Sequence, residues 1–203
     1  MMKPFNLFSN KSSVAKTLLA AALLAPTTAM AHSGHSHEMS GFMSGLAHPV
    51  GGLDHLLAMV AVGIWAAFMG GKAQWGVPAA FVVTMLLGGL LAVSGVAVPF
   101  VEGGIMLSVI AMGALLAFAV KFHPAVCAAL VAGFALFHGA AHGTEMPLEA
   151  SGLAYGAGFA LATAVLHGAG FALSKLCMEF KAELAARVAG GAIAVTGLAM
   201  VAA

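Results

Sequence analysis

Charge is what this 203-residue sequence most lacks: Asp, Glu, Lys and Arg make up 7% of it, against 62% hydrophobic residues. Soluble domains carry about 25% charged residues, so a water-exposed globular surface is excluded and an integral membrane protein is indicated. The net charge of +1 argues against nucleic acid as a partner. Cysteine is nearly absent as well. Cys127 and Cys177 fall in no CxxC or Cys/His zinc spacing, which excludes a disulfide framework and a thiolate cluster. They read as small apolar fillers. No GxxxxGK[ST] run occurs, so the chain has no phosphate-binding loop with which to hydrolyse ATP.

Against these absences histidine stands out. The nine histidines outnumber the eight Lys and Arg together and the seven Asp and Glu together. Histidine is the commonest metal ligand among side chains.

The first residues read as a targeting segment. Lys3, Lys11 and Lys16 form a basic region, residues 17–25 a short apolar core, and Ala29-Met30-Ala31 an A-x-A cleavage site. That core is too short to span a bilayer, so residues 1–31 are expected to be a cleaved bacterial secretory signal peptide. A His-rich segment, residues 32–44, follows, with His32, His35 and His37 in a flexible tract of a kind that collects divalent metals.

The remainder, residues 45–203, divides into about six apolar segments: 45–69, 77–98, 103–120, 124–141, 152–173 and 184–203. Each approaches the ~20 residues an α-helix needs to cross hydrocarbon, and the connections are too brief for a soluble domain. The expected fold is all-α, a membrane bundle of about six transmembrane helices. If His32 starts outside the inner membrane, alternation places Lys72, Lys121, Lys175, Lys181 and Arg187 on the cytoplasmic side. Glu38, Glu102, Glu145 and Glu149 then fall on the periplasmic side with both mature ends, as the positive-inside rule requires. Small residues at helical spacing, as in Gly152-x3-Gly156 and around Gly113, suggest close helix packing. Gly51-Gly52, Gly139, Gly143 and Gly168 sit beside polar residues, where local unwinding is an alternative use.

The polar residues in these spans form clusters. The first is His48, Asp54, His55 and Met59. An Asp at the bilayer centre costs about 2.5–3.5 kcal/mol on insertion scales, so it calls for a partner, water or an ion. On a regular helix His48 and His55 would lie ~10.5 Å apart along the axis, too far for one ion at ~2.0–2.1 Å bonds. Either Pro49 and Gly51-Gly52 unwind the helix to close one site, or His48 is a gate and His55 belongs to an inner site. Asp54 can orient an imidazole or ligate directly; Met59 alone is equally explained as core filler. The second cluster is His138, His142 and Glu145, which share a helix face at spacings of four and three. A third candidate is His167 in the fifth span, where a lone histidine is equally suited to bonding a neighbouring helix. His123 reads as a solvated residue at the inner face.

The run His48-Pro49-x-x-Gly52-x-Asp54-His55-x-x-x-Met59 closely resembles the signature of the HupE/UreJ family of nickel/cobalt transporters. Phe137-His138-Gly139-x-Ala141-His142-Gly143-x-Glu145 and His167-Gly168 resemble that family's further motifs. The resemblance implies secondary permeation of Ni²⁺, or Co²⁺, across the inner membrane, with no prosthetic group. It implies supply of urease, hydrogenase or cobalamin pathways. The His48-x5-Asp54-His55 spacing differs by one residue from the His-x4-Asp-His pattern of the larger nickel/cobalt permease family, so metal selectivity does not carry over from that group. Imidazole and carboxylate suit these ions, and the scarcity of thiolate argues against copper(I).

The expected ligands are thus His48, Asp54, His55, Met59, His138, His142, Glu145 and His167, with His32, His35 and His37 collecting metal outside. Expected partners are the divalent ion, the lipid bilayer, further copies of the chain in a homo-oligomer, and urease or hydrogenase metallochaperones downstream. Two rival readings stand beside the permease. One is an intramembrane hydrolase with zinc on His138, His142 and His167 and with Asp54 or Glu145 acting on water. The other is a metal-sensing or accessory membrane subunit.

Overall fold

The computed structural model describes residues 41–146 and 151–202. The expected signal peptide, with His32, His35, His37 and Glu38 after it, and the loop residue Glu149 lie outside the described residues. The described residues form seven helices and no strand: α1 (Gly41–Gly51), α2 (Leu53–Met69), α3 (Ala73–Val93), α4 (Val101–Ala117), α5 (Pro124–Glu145), α6 (Gly152–Glu179) and α7 (Glu183–Ala202). Local chemistry sets several boundaries. Pro124 starts α5 where its missing N–H costs nothing, and the Ser151 hydroxyl caps α6 by accepting from Ala154 N–H at 3.4 Å.

The chain is an all-α, multi-pass membrane protein. Four helices, α3, α5, α6 and α7, are long and apolar enough to cross a bilayer, and α1 with α2 makes a fifth span if taken together. The apolar α4, at 17 residues, is shorter. Large apolar side chains such as Leu90, Leu161, Val188 and Leu198 face outward, as lipid contact requires.

The first apolar segment, residues 45–69, takes the unwound alternative. It is two helices bent by 84°. Gly52 breaks it, in an extended conformation with φ −104° and ψ 121°. No side chain at Gly51 or Gly52 covers the backbone, and Pro49 lacks the N–H that would tie this turn to the preceding one. The new helix start at Leu53 then exposes free N–H groups. Asp54 takes up one, its Oδ1 accepting from the His55 backbone N–H at 2.7 Å, where a negative charge also suits the helix dipole.

Helices pack in pairs: α3 on α5, α4 on α7, and α1 and α2 both along the long α6. Small residues explain the pairing. A Cβ on Gly139 would overlap the Met85 carbonyl, one on Gly63 the His167 carbonyl, and one on Gly158 the Phe42 carbonyl. Gly139, Gly143 and Gly168 lie inside continuous helices, so they do not unwind. Gly139 and Gly143 serve instead to let α5 approach α3. Gly156 meets Leu86 only at ordinary contact distance, so the Gly152/Gly156 pair is not a packing seam.

Overpacking typically costs about 1–3 kcal/mol, and the Met85 carbonyl is backbone that cannot swing aside. Gly139→Ala is therefore expected to lower membrane abundance and the thermal midpoint of the purified protein. Unchanged values of both would contradict the α3–α5 contact.

The bundle is polarised end to end. His55 and Glu102 lie in the first turns of α2 and α4. At the far end of those helices Lys121 stands over the Phe68 ring at 4.6 Å and Arg187 Nε–H donates to the Ala117 carbonyl at 2.9 Å. His123 belongs to that basic end, where it caps α5.

Candidate functional site

The 84° bend decides how the histidines meet. It carries His48, on α1, away from the axis of α2, and the His142 ring on α5 contacts both neighbours. The His48 and His142 ring centroids are 4.6 Å apart and those of His55 and His142 are 4.3 Å apart. His55 also meets His138 at 4.6 Å, edge to face. Four imidazoles from three helices therefore form one continuous group, with unwinding at Gly52 as its cause.

The group has an exposed edge and a buried interior. At the edge, His48 Nε2 and Glu145 Oε2 are 2.9 Å apart, and Glu145 Oε2 is 3.7 Å from His142 Nδ1. Donor atoms of His48, His142 and Glu145 all lie within 4.8 Å of one another, which is ligand spacing for one ion. In the interior His55, His138 and His142 are 8%, 0% and 3% exposed. Asp54 Oδ1 accepts from His55 Nδ1–H at 2.8 Å, which turns His55 Nε2 inward as the free donor atom. That is the carboxylate–histidine pairing which orients metal-binding imidazoles.

A cavity of about 660 Å³ opens onto this edge, bordered by His48, Asp54, His55, Glu102 and Glu145. Among the described residues, three carboxylates and no lysine or arginine line it, a field that concentrates cations. A second cavity of about 680 Å³ lies between α3, α5 and α6 beyond His142 and is almost wholly apolar.

His55 Nε2, His138 Nδ1 and both nitrogens of His142 and His167 are buried without a hydrogen-bond partner among the described residues. Native structures pair about nine in ten or more of such groups, so a cluster of unpaired imidazole nitrogens calls for a chemical reason. Cation coordination supplies one.

Two expected ligands stand apart from the ring cluster. Met59 is fully buried one turn beyond His55, with its sulfur 3.5 Å from the Thr163 hydroxyl, which is equally close to the Met85 sulfur. His167, one turn from Thr163 on α6, packs edge-on against Phe81 at 5.1 Å. Phe81 also touches His138, at 5.6 Å, and His167 makes no ring contact with His138 or His142 among the described residues. Nor do the donor atoms of His138, His142 and His167 form a metal-spaced group among the described residues, so the zinc triad of the hydrolase reading is not assembled.

Sequence reasoning passed over Glu102, Ser108, Phe81 and Phe159. Glu102 borders the cavity, Ser108 lies 2.8 Å from His138 Nε2, and Phe159 backs His142 at 3.9 Å. The acid position of Glu102 was visible; nothing in an apolar run marks a single Ser or Phe as part of a site.

The model of the family described as HupE / UreJ protein matches residues 19–200. The chain belongs to the HupE/UreJ family. It is 47% identical over 184 residues to Protein HupE of Rhizobium leguminosarum bv. viciae, covering 91% of this chain and 95% of that protein. No solved structure matches significantly. HupE/UreJ proteins are transport and accessory proteins rather than enzymes. The family match spans all four clustered histidines, Asp54 and Glu145.

Proposed function

We propose that the chain is an inner-membrane permease that takes up Ni²⁺, or Co²⁺, as cargo through the imidazole–carboxylate cluster at the broken helix. The observation that carries this reading is the set of orphaned buried imidazole nitrogens beside an acid-lined cavity. An ion enters through the cavity, is caught by His48, Glu145 and His142 at the exposed edge, and passes from His142 to His55 and His138. Asp54 steadies His55 throughout. His167 and the Met59 thioether stand further along the same route. The shared ring of His142 lets one ligand exchange replace another, so the ion is never stripped of all partners in an apolar interior.

The positive-inside rule supports a cytoplasmic position for the basic end and a periplasmic one for the cavity. On that orientation His32, His35 and His37 collect metal outside. The ion is released toward metallochaperones of a urease or hydrogenase system, and HupE/UreJ kinship supports that cargo. A homo-oligomer is compatible with the lipid-facing surfaces.

Uptake of radioactive nickel into cells tests the proposal. Asp54→Ala and His55→Ala are expected to lower uptake at least about tenfold at normal membrane abundance, since even groups that only orient ligands are worth 10–100-fold. Wild-type uptake no greater than that of cells lacking the protein would sink the permease reading.

A further inference from the structure

Ser108 is buried in α4, 1% exposed, and its hydroxyl has two polar neighbours. The Ile105 carbonyl oxygen is 2.6 Å away and His138 Nε2 is 2.8 Å away. A serine hydroxyl has one proton to give. Two oxygens at 2.6 Å attract only with a proton between them, and a carbonyl cannot supply it. The Ser108 proton therefore goes to Ile105, and the oxygen presents a lone pair to His138. His138 must be the donor in that contact, with its proton on Nε2. Its other nitrogen, Nδ1, then carries a free lone pair, and Nδ1 is the atom that is buried without a partner.

The neighbouring ring, His55, carries its proton on the opposite nitrogen. Asp54 accepts from His55 Nδ1–H, so His55 offers Nε2, which is likewise buried and unpartnered. The two facing imidazoles thus hold opposite tautomers, each with its free nitrogen buried. We propose that Ser108 is a positioning residue that locks His138 in the Nε2–H tautomer and makes Nδ1 its metal-donating atom. This rests on the permease reading only for its functional consequence.

The backbone supports the contact. Gly104 stands one turn before Ser108 on α4, and a Cβ there would overlap the Phe137 ring. The close approach of α4 to α5 at Phe137 holds the hydroxyl against His138. Without Ser108, the buried Nε2–H loses its acceptor, and the proton can move to Nδ1, where it blocks the lone pair.

Two measurements on the full chain test this. Nitrogen-15 NMR of histidine-labelled, metal-free protein is expected to show His138 as the Nε2–H tautomer in wild type, and that signature is lost in Ser108→Ala. A wild-type His138 protonated on Nδ1 overturns the proposal. In nickel uptake, Ser108→Ala is expected to raise KM about 10–100-fold with Vmax per membrane-inserted protein little changed, and Ser108→Thr, which keeps the hydroxyl, recovers most of the loss. A wild-type KM in Ser108→Ala also overturns it. A purely structural serine would lower abundance and leave KM alone. Failure of the wild-type chain to transport nickel would count against the permease reading, while the metal-free spectrum still decides the role of Ser108.

Discussion

Replacing His142 with alanine is expected to abolish metal uptake while leaving the protein at normal abundance in the membrane. His142 is the ring that touches both His48 at the exposed edge and His55 in the interior, so its loss separates entry from the buried site. The expected decrease is about 100-fold or more, beyond the 10–100-fold typical of groups that merely orient ligands. Folding is expected to survive. Both nitrogens of His142 are buried without a hydrogen bond among the described residues, and removing an unsatisfied polar group relieves a desolvation cost of about 1–3 kcal/mol. That relief offsets the small cavity the ring leaves against Phe159. Uptake assayed beside immunodetection of membrane protein checks both halves. Retained transport in His142→Ala would break the proposed route at its centre.

A smaller but still large loss is expected from Gly52→Ala, although Gly52 donates no ligand. A Cβ at this position would stand 2.8 Å from Asp54 Oδ1 and 3.2 Å from His55 Nδ1. These are the two atoms of the hydrogen bond that aims His55. The methyl group must displace one of them, so the expected effect is the 10–100-fold loss typical of a disturbed orienting partner. Valine, bulkier still, is expected to act more strongly. Gly51→Ala is the matched control, because a Cβ there meets nothing within 4 Å. Equal nickel uptake by the Gly52 and Gly51 variants would show that the bend does not aim the site.

The contrast between those adjacent glycines shows what could be read from sequence and what could not. Pro49, Gly51 and Gly52 beside Asp54 marked the first span as a place to break. The i, i+4 spacing of His138 and His142 placed both on one face of α5, and there they are. Hydropathy located the helices because burial in lipid demands apolar runs of a certain length. It could not give the direction of the bend, which depends on α1 lying along α6 through Gly45 and Gly158. Nor could it pair Ser108 with His138, since that contact comes from the packing of α4 on α5 and leaves no periodic trace. Met59 joins the expected ligands through its i, i+4 spacing from His55 and both it and His167 through the family-like motifs; the structure sets them apart from the ring cluster, beside Thr163, Met85 and Phe81. Glycines beside histidines suggested unwinding at Gly139 and Gly143, yet there the missing side chain admits a neighbouring helix.

Reconstitution tests the central claim most directly. The purified chain is placed in lipid vesicles enclosing a nickel-sensitive dye, and Ni²⁺ is added outside. The account predicts saturable entry with the wild-type chain and entry indistinguishable from empty vesicles with His142→Ala. No entry above empty vesicles for the wild-type chain, or equal entry for the two proteins, would contradict it.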